Sequence, residues 1–120
     1  MSLTRPKLLS LALLGLLAFS GTLSAAELWV APNGSDQNPG TETAPLATVQ
    51  AAQRKGRELR RLADPSIANG MRIVLRGGVY PLTAPLFIRP EDSGTETSPT
   101  VFTAATSERP IISGGIALTP

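Results

Sequence analysis

The chain has 120 residues, with 11 Lys and Arg against 9 Asp and Glu, and it contains neither histidine nor cysteine. The lack of both residue types excludes Ser-His and Cys-His catalysis, the common zinc ligand sets and any disulfide staple within this chain. The excess charge of +2 comes from Arg5 and Lys7 alone, and the other cations balance the anions, so there is no net field to draw in nucleic acid or an anionic membrane.

Arg5 and Lys7 precede a run of small and apolar residues from Leu8 to Phe19, and Ser24, Ala25 and Ala26 then supply the small side chains that a signal peptidase reads. This pattern predicts a secretory signal peptide over residues 1–26. The apolar run is about a dozen residues, well short of the roughly 20 that a helix needs to cross a bilayer, so no stable membrane anchor is expected after cleavage. The expected mature chain starts at Glu27 and is secreted or periplasmic. Without cysteines, its stability must come from an apolar core alone.

Glu27–Val30 reads as a short strand ended by Ala31-Pro32, followed by a long loop from Asn33 to Thr41 that gathers most of the turn-forming residue types. Thr48 is a plausible N-cap, and Val49, Ala52, Gly56, Leu59 and Ala63 recur at helical spacing on one face. Arg57 lies on another face, so it is expected to point outward and to matter little for stability, while Leu59 and Leu62 cover apolar neighbours. Asp64-Pro65 ends this helix. From Asn69-Gly70 onward the pattern becomes β, with short runs at Arg72–Arg76, Val79-Tyr80, Leu86–Ile88, Thr100–Ala104 and Ile111–Ser113 and no second helix. Such spacing fits a sandwich, a barrel or a solenoid. A six-residue echo between Val74–Val79 and Ile111–Ile116 is what two successive coils of a solenoid would give.

The order of these segments resembles a known family. Leu28–Asp36, Asn38–Thr41 and Ala44–Ala52, then Ile73–Tyr80, Pro85–Ile88, Pro90–Thr95 and Arg109–Gly115, are similar to the opening of secreted right-handed parallel β-helix proteins of the pectate-lyase-like superfamily, glycoside-hydrolase-like members included. The resemblance implies a mainly β fold: an N-terminal cap of strand, loop and helix over residues 27–70, and the first coils of a β-helix, truncated, over 71–120. A solenoid end exposes apolar interior and unpaired backbone, which the amphipathic helix would cover. It also implies a polysaccharide or glycan partner for a longer protein, cleaved by residues on coils that this chain does not contain. A non-enzymatic β-helical surface or adhesion protein, or a small β-sandwich binding module, are the other readings.

Within the chain no residue is assigned to catalysis, to a cofactor or to a metal. Glu91, Asp92 and Glu96 bring carboxylates together, as glycoside hydrolysis requires, but next to Ser93-Gly94 they read as solvated turn residues. Asn33, Asp36 and Asn38 offer the oxygen ligands that calcium takes, yet their spacing does not match an EF-hand and Asx-turns account for the same residues. Arg54, Lys55, Arg57, Arg60 and Arg61 form a basic helix that reads as a solvated face or, alternatively, as a patch for an acidic polysaccharide. Trp29, the single tryptophan, reads as packing rather than as a sugar-stacking platform.

Overall fold

Among the described residues, five strands and one long helix make up most of the regular secondary structure. The computed structural model describes residues 24–116, 118 and 119. The charged start and apolar run of the expected signal peptide lie outside the described residues. Strand β1 (Ala26–Val30) leads through a loop into helix α1 (Val49–Arg61), a short 3-10 turn (Pro65–Ile67), β2 (Met71–Leu75) and β3 (Gly78–Pro81). A one-turn helix α2 (Pro90–Ser93), β4 (Thr100–Ala104) and β5 (Pro110–Ser113) follow. Ala26 is already paired, its N–H donating to the Gly70 carbonyl, so processing after Ala26 would open the mature chain one residue inside β1.

The strands form two parallel sheets, ordered β1-β2-β4 and β3-β5, and neither closes on itself. The described chain is therefore a small mixed α/β unit with parallel strands. Met71 lies opposite Ala26 and Thr100, and Gly78 opposite Pro110, so β2–β3 and β4–β5 visit the two sheets in the same order. Parallel pairing of all five strands departs from the antiparallel ladders of a sandwich. The echo between Val74–Val79 and Ile111–Ile116 is not the structural repeat, because Val74 pairs with Thr103 and not with Ile111.

Period-two alternation sends Leu28, Ile73 and Phe102 to one face of the larger sheet, with Val30, Leu75 and Ala104 in the next row. Leu28, Val30, Ile73 and Leu75 are buried there with Met71, Val49, Ala52 and Tyr80. Helix α1 connects β1 to β2 and lies over this interior. Gly56 is what allows the close approach, since a Cβ there would stand 2.6 Å from the Met71 methyl. Thr48 caps the helix as expected, accepting from the Ala51 N–H at 3.1 Å. Leu62, in contrast, is the C-cap and is exposed, so it covers nothing.

Leu86–Ile88 is not a strand. Pro85 and Pro90 bracket it, and the Phe87 carbonyl accepts from Gln53 Nε2 at 2.6 Å instead of from a neighbouring strand. The one-turn helix at Pro90–Ser93 was not expected, and one buried side chain accounts for it, as described next.

Candidate functional site

Part of the polar side of α1, around Gln53 and Arg57, does not face water. Asp92, on α2, is buried at 5% exposure and accepts from four donors. Arg57 reaches it with both arms of its fork, Nε to Oδ1 at 2.6 Å and Nη2 to Oδ2 at 2.9 Å. Gln53 Nε2 donates to Oδ2 at 2.9 Å, and the Arg89 backbone N–H to the same oxygen at 2.7 Å. That last bond closes the first turn of α2, so the carboxylate both folds the short helix and ties it to α1. The Arg57 guanidinium, the chief cause, holds the Asp92 carboxyl below the usual carboxylate range against the opposing effect of burial.

Two sequence expectations are corrected here. Asp92 is a buried structural acceptor rather than a solvated turn residue, and Arg57 is not a bystander on an outward face. Arg60 extends the same seam. It donates through Nε and Nη2 to Thr100 Oγ1, at 3.1 and 2.6 Å, and through Nη2 to the Ser98 carbonyl at 2.9 Å. Gly94 makes this approach feasible: its φ is +79°, and a Cβ there would collide with the Ser98 carbonyl and the Arg60 guanidinium.

Arg57, Arg60, Arg61, Arg89 and Glu91 line an open cleft of about 460 Å³ beside this seam. Arg61 is paired with Glu58 at 2.6 Å, one turn away on the surface. Among the described residues no carboxylate lies within ion-pair distance of Arg60 or Arg89, whereas Arg57 and Arg61 each have one. Arg89 is the member that sequence reasoning missed. It is distant from the helix in sequence, and nothing in its local pattern says that the Asp92 anchor swings it beside α1.

The remaining candidates have structural occupations. Asp36 accepts from the N–H groups of Ala47 and Thr48, at 2.9 and 3.0 Å, and from the Thr48 hydroxyl at 2.8 Å. Asn38 donates to the Pro45 carbonyl at 2.9 Å. These two bridge the loop, and among the described residues no group of three or more acidic side chains is arranged to hold a metal. Glu91 and Glu96 are exposed. Trp29 is half-buried on the solvent side of the sheet, its indole N–H donating to Glu27 at 3.0 Å and the Arg76 guanidinium 5.1 Å above its ring. A smaller cleft of about 230 Å³, lined by Pro32, Val49, Val79, Tyr80 and Leu82 among others, offers no carboxylate or amine, and the Tyr80 hydroxyl there donates to the Val30 and Arg76 carbonyls. Among the described residues no helix is long and apolar enough to cross a membrane.

Comparison with known proteins gives the chain relatives. Over 90 residues it is 39% identical to the pectate lyase PEL9 of Emericella nidulans, a match covering 75% of this chain and 19% of that protein. It is 34% identical over 87 residues to the uncharacterized protein YwoF of Bacillus subtilis, covering 72% and 15%. Among solved structures, a glycoside hydrolase matches with a TM-score of 0.75 and 49% identity over 77% of this chain and 15% of that one. A rhamnogalacturonan lyase shares the fold, with a TM-score of 0.52 and 22% identity over 73% of this chain and 22% of that one. No family model matches. The chain is homologous to pectate-lyase-like and glycoside-hydrolase-like proteins, as its residues suggested, and spans about a fifth or less of the curated relatives' length.

Proposed function

We propose that this chain forms the N-terminal cap and first coils of an exported right-handed parallel β-helix protein that acts on polysaccharide, with the cleaving residues on coils beyond these. The observation that carries the reading is the sheet register. The β2–β3 and β4–β5 segments run through two parallel sheets in the same order, as successive coils do. Helix α1 joins β1 to β2 as a crossover between parallel neighbours, a connection that is right-handed in nearly all proteins. Relatives named as a pectate lyase and a glycoside hydrolase support a carbohydrate-related role. Export is supported by Arg5, Lys7 and the apolar run from Leu8 to Phe19.

Two measurements test this proposal. N-terminal sequencing of protein recovered outside the cytoplasm is expected to begin Glu-Leu-Trp-Val, and a retained Met1 in that fraction would remove the export step. The 120-residue chain, incubated with polygalacturonate, alginate or neutral plant glycans, is expected to release no new reducing ends. Cleavage requires an acid and a base or nucleophile on rigid elements, and Asp92 is already committed to four donors. Turnover by the chain that disappears in Glu91→Gln would instead locate the active site within these residues.

A further inference from the structure

We infer that the cleft between α1 and the α2 loop binds the carboxylate groups of an acidic, uronate-containing polysaccharide, with Arg89 as its principal contact and Arg60 as a fixed supporting charge. This deepens the carbohydrate reading above and rests on it for the choice of ligand. It does not depend on whether the whole protein is an enzyme.

Four guanidinium groups line the cleft with one carboxylate, Glu91. Two of the four are neutralised from outside: Arg57 by Asp92 and Arg61 by Glu58. Arg60 keeps its charge while its arms are held by Thr100 and Ser98, so it acts from a fixed position. Arg89 has neither an ion-pair partner nor a side-chain hydrogen bond among the described residues, and its backbone alone serves α2. An arginine left with its planar set of five donors is suited to bidentate capture of a carboxylate. The volume of about 460 Å³ falls within the usual range of ligand clefts, roughly 300–1,000 Å³. A polymer carrying a carboxylate on every sugar would meet this charge repeatedly, whereas a neutral glycan would find little to hold it.

The test is binding of oligogalacturonate to the full chain by calorimetry, against the methyl-esterified oligomer and inorganic phosphate as comparison ligands. The expected result is binding of the acidic oligomer that weakens about tenfold between low and high salt, because exposed charges are screened over roughly 10 Å. Arg89→Ala is expected to weaken it at least fivefold and Arg89→Glu further, without loss of fold, since the α2 cap uses only the backbone of residue 89. Glu91→Gln, which removes the cleft's own carboxylate, is expected to tighten binding two- to threefold. Arg54→Ala makes the same change in net charge outside the cleft and is expected to shift binding less than twofold.

Equal losses in Arg54→Ala and Arg89→Ala would reduce the effect to net charge and overturn the site. So would oligogalacturonate affinity unchanged in Arg89→Glu, which leaves the carbohydrate reading standing. Binding of phosphate with none of oligogalacturonate, or of the esterified oligomer as tightly as the acid, would also overturn it. A parent chain that binds neither oligomer would remove both the site and the support that it lends to the carbohydrate reading.

Discussion

Asp92→Ala is expected to destabilise the folded chain by about 2–3 kcal/mol, lowering Tm on the order of 10 °C. The substitution removes the acceptor of four hydrogen bonds at once, leaving Gln53 with only its bond to the Phe87 carbonyl and the part-buried Arg89 N–H without its partner. Removing one member of a buried ion pair commonly costs about 3–5 kcal/mol. The lower figure applies here because the Arg57 side chain keeps 25% exposure and can recover water. Asp92→Asn should lose nearly as much, since the amide turns one acceptor into a donor aimed at a guanidinium. Thermal melts give the size of the effect. Proteolysis between Leu82 and Pro99 gives its location, with cleavage expected to accelerate there first. A Tm within two degrees of the parent, roughly half a kcal/mol, would show that the seam contributes little.

The same pair sets an acid dependence whose sign can be worked out. Arg57 holds the folded Asp92 carboxyl below its ordinary value, near 3.9 for an unfolded aspartate. A depressed carboxyl contributes stability that is fully present above the unfolded value and is lost as pH falls through the folded one. The gap in stability between parent and Asp92→Ala should thus be level from pH 7 to about 5 and narrow below about 4. A gap that widens on acidification would mean that Asp92 is held above its ordinary range.

What could be read from the sequence divides along the range of the interactions. The strands at Glu27–Val30 and Thr100–Ala104 and the Thr48 cap depend on residues within a few positions, and local patterning was enough to find them. Leu86–Ile88 has the composition of a strand, yet its Phe87 carbonyl is taken by Gln53 and Arg57, 34 and 30 residues upstream. Arg57 failed for the same reason. On a helical wheel it points away from Val49 and Gly56, and only the folding-back of the α2 loop turns that side into an interface. Leu62 was misread because helical spacing was carried one residue past the last turn. The cleft was half legible: the arginines of α1 stand out as a basic helix, but Arg89 joins them through a contact that no spacing rule encodes. The register of the two sheets, with 29 residues from Met71 to Thr100, was likewise hidden, because the repeated Gly-Gly at Gly77 and Gly114 suggested a different period.

As concentration rises, the 120-residue chain is expected to associate through the free edges of β4 and β5, and Phe102→Lys is expected to raise the concentration at which this begins by about tenfold or more. Phe102 shares its face with buried Leu28 and Ile73, and Ile112 lies opposite buried Tyr80, yet the two remain 37% and 48% exposed. Val101 and Ile111 beside them are 44% and 50% exposed. Among the described residues nothing pairs with the outer side of either strand, so each edge presents free backbone groups together with apolar side chains, the combination that recruits another strand. Burying a side chain of this kind is worth roughly 1.5–3 kcal/mol, and 1.4 kcal/mol is a factor of ten in association. An inward-pointing lysine would have to be desolvated in any such pairing, which opposes it further. Leu62→Lys is the control, with the same charge added and an exposed leucine lost, but at the end of α1 away from both edges. Sedimentation velocity across a concentration series, with circular dichroism to confirm that both variants are folded, separates the outcomes. Equal relief of association by the two lysines would assign it to net charge, and a parent that stays monomeric throughout would mean that these edges are protected in a way their exposure does not reveal.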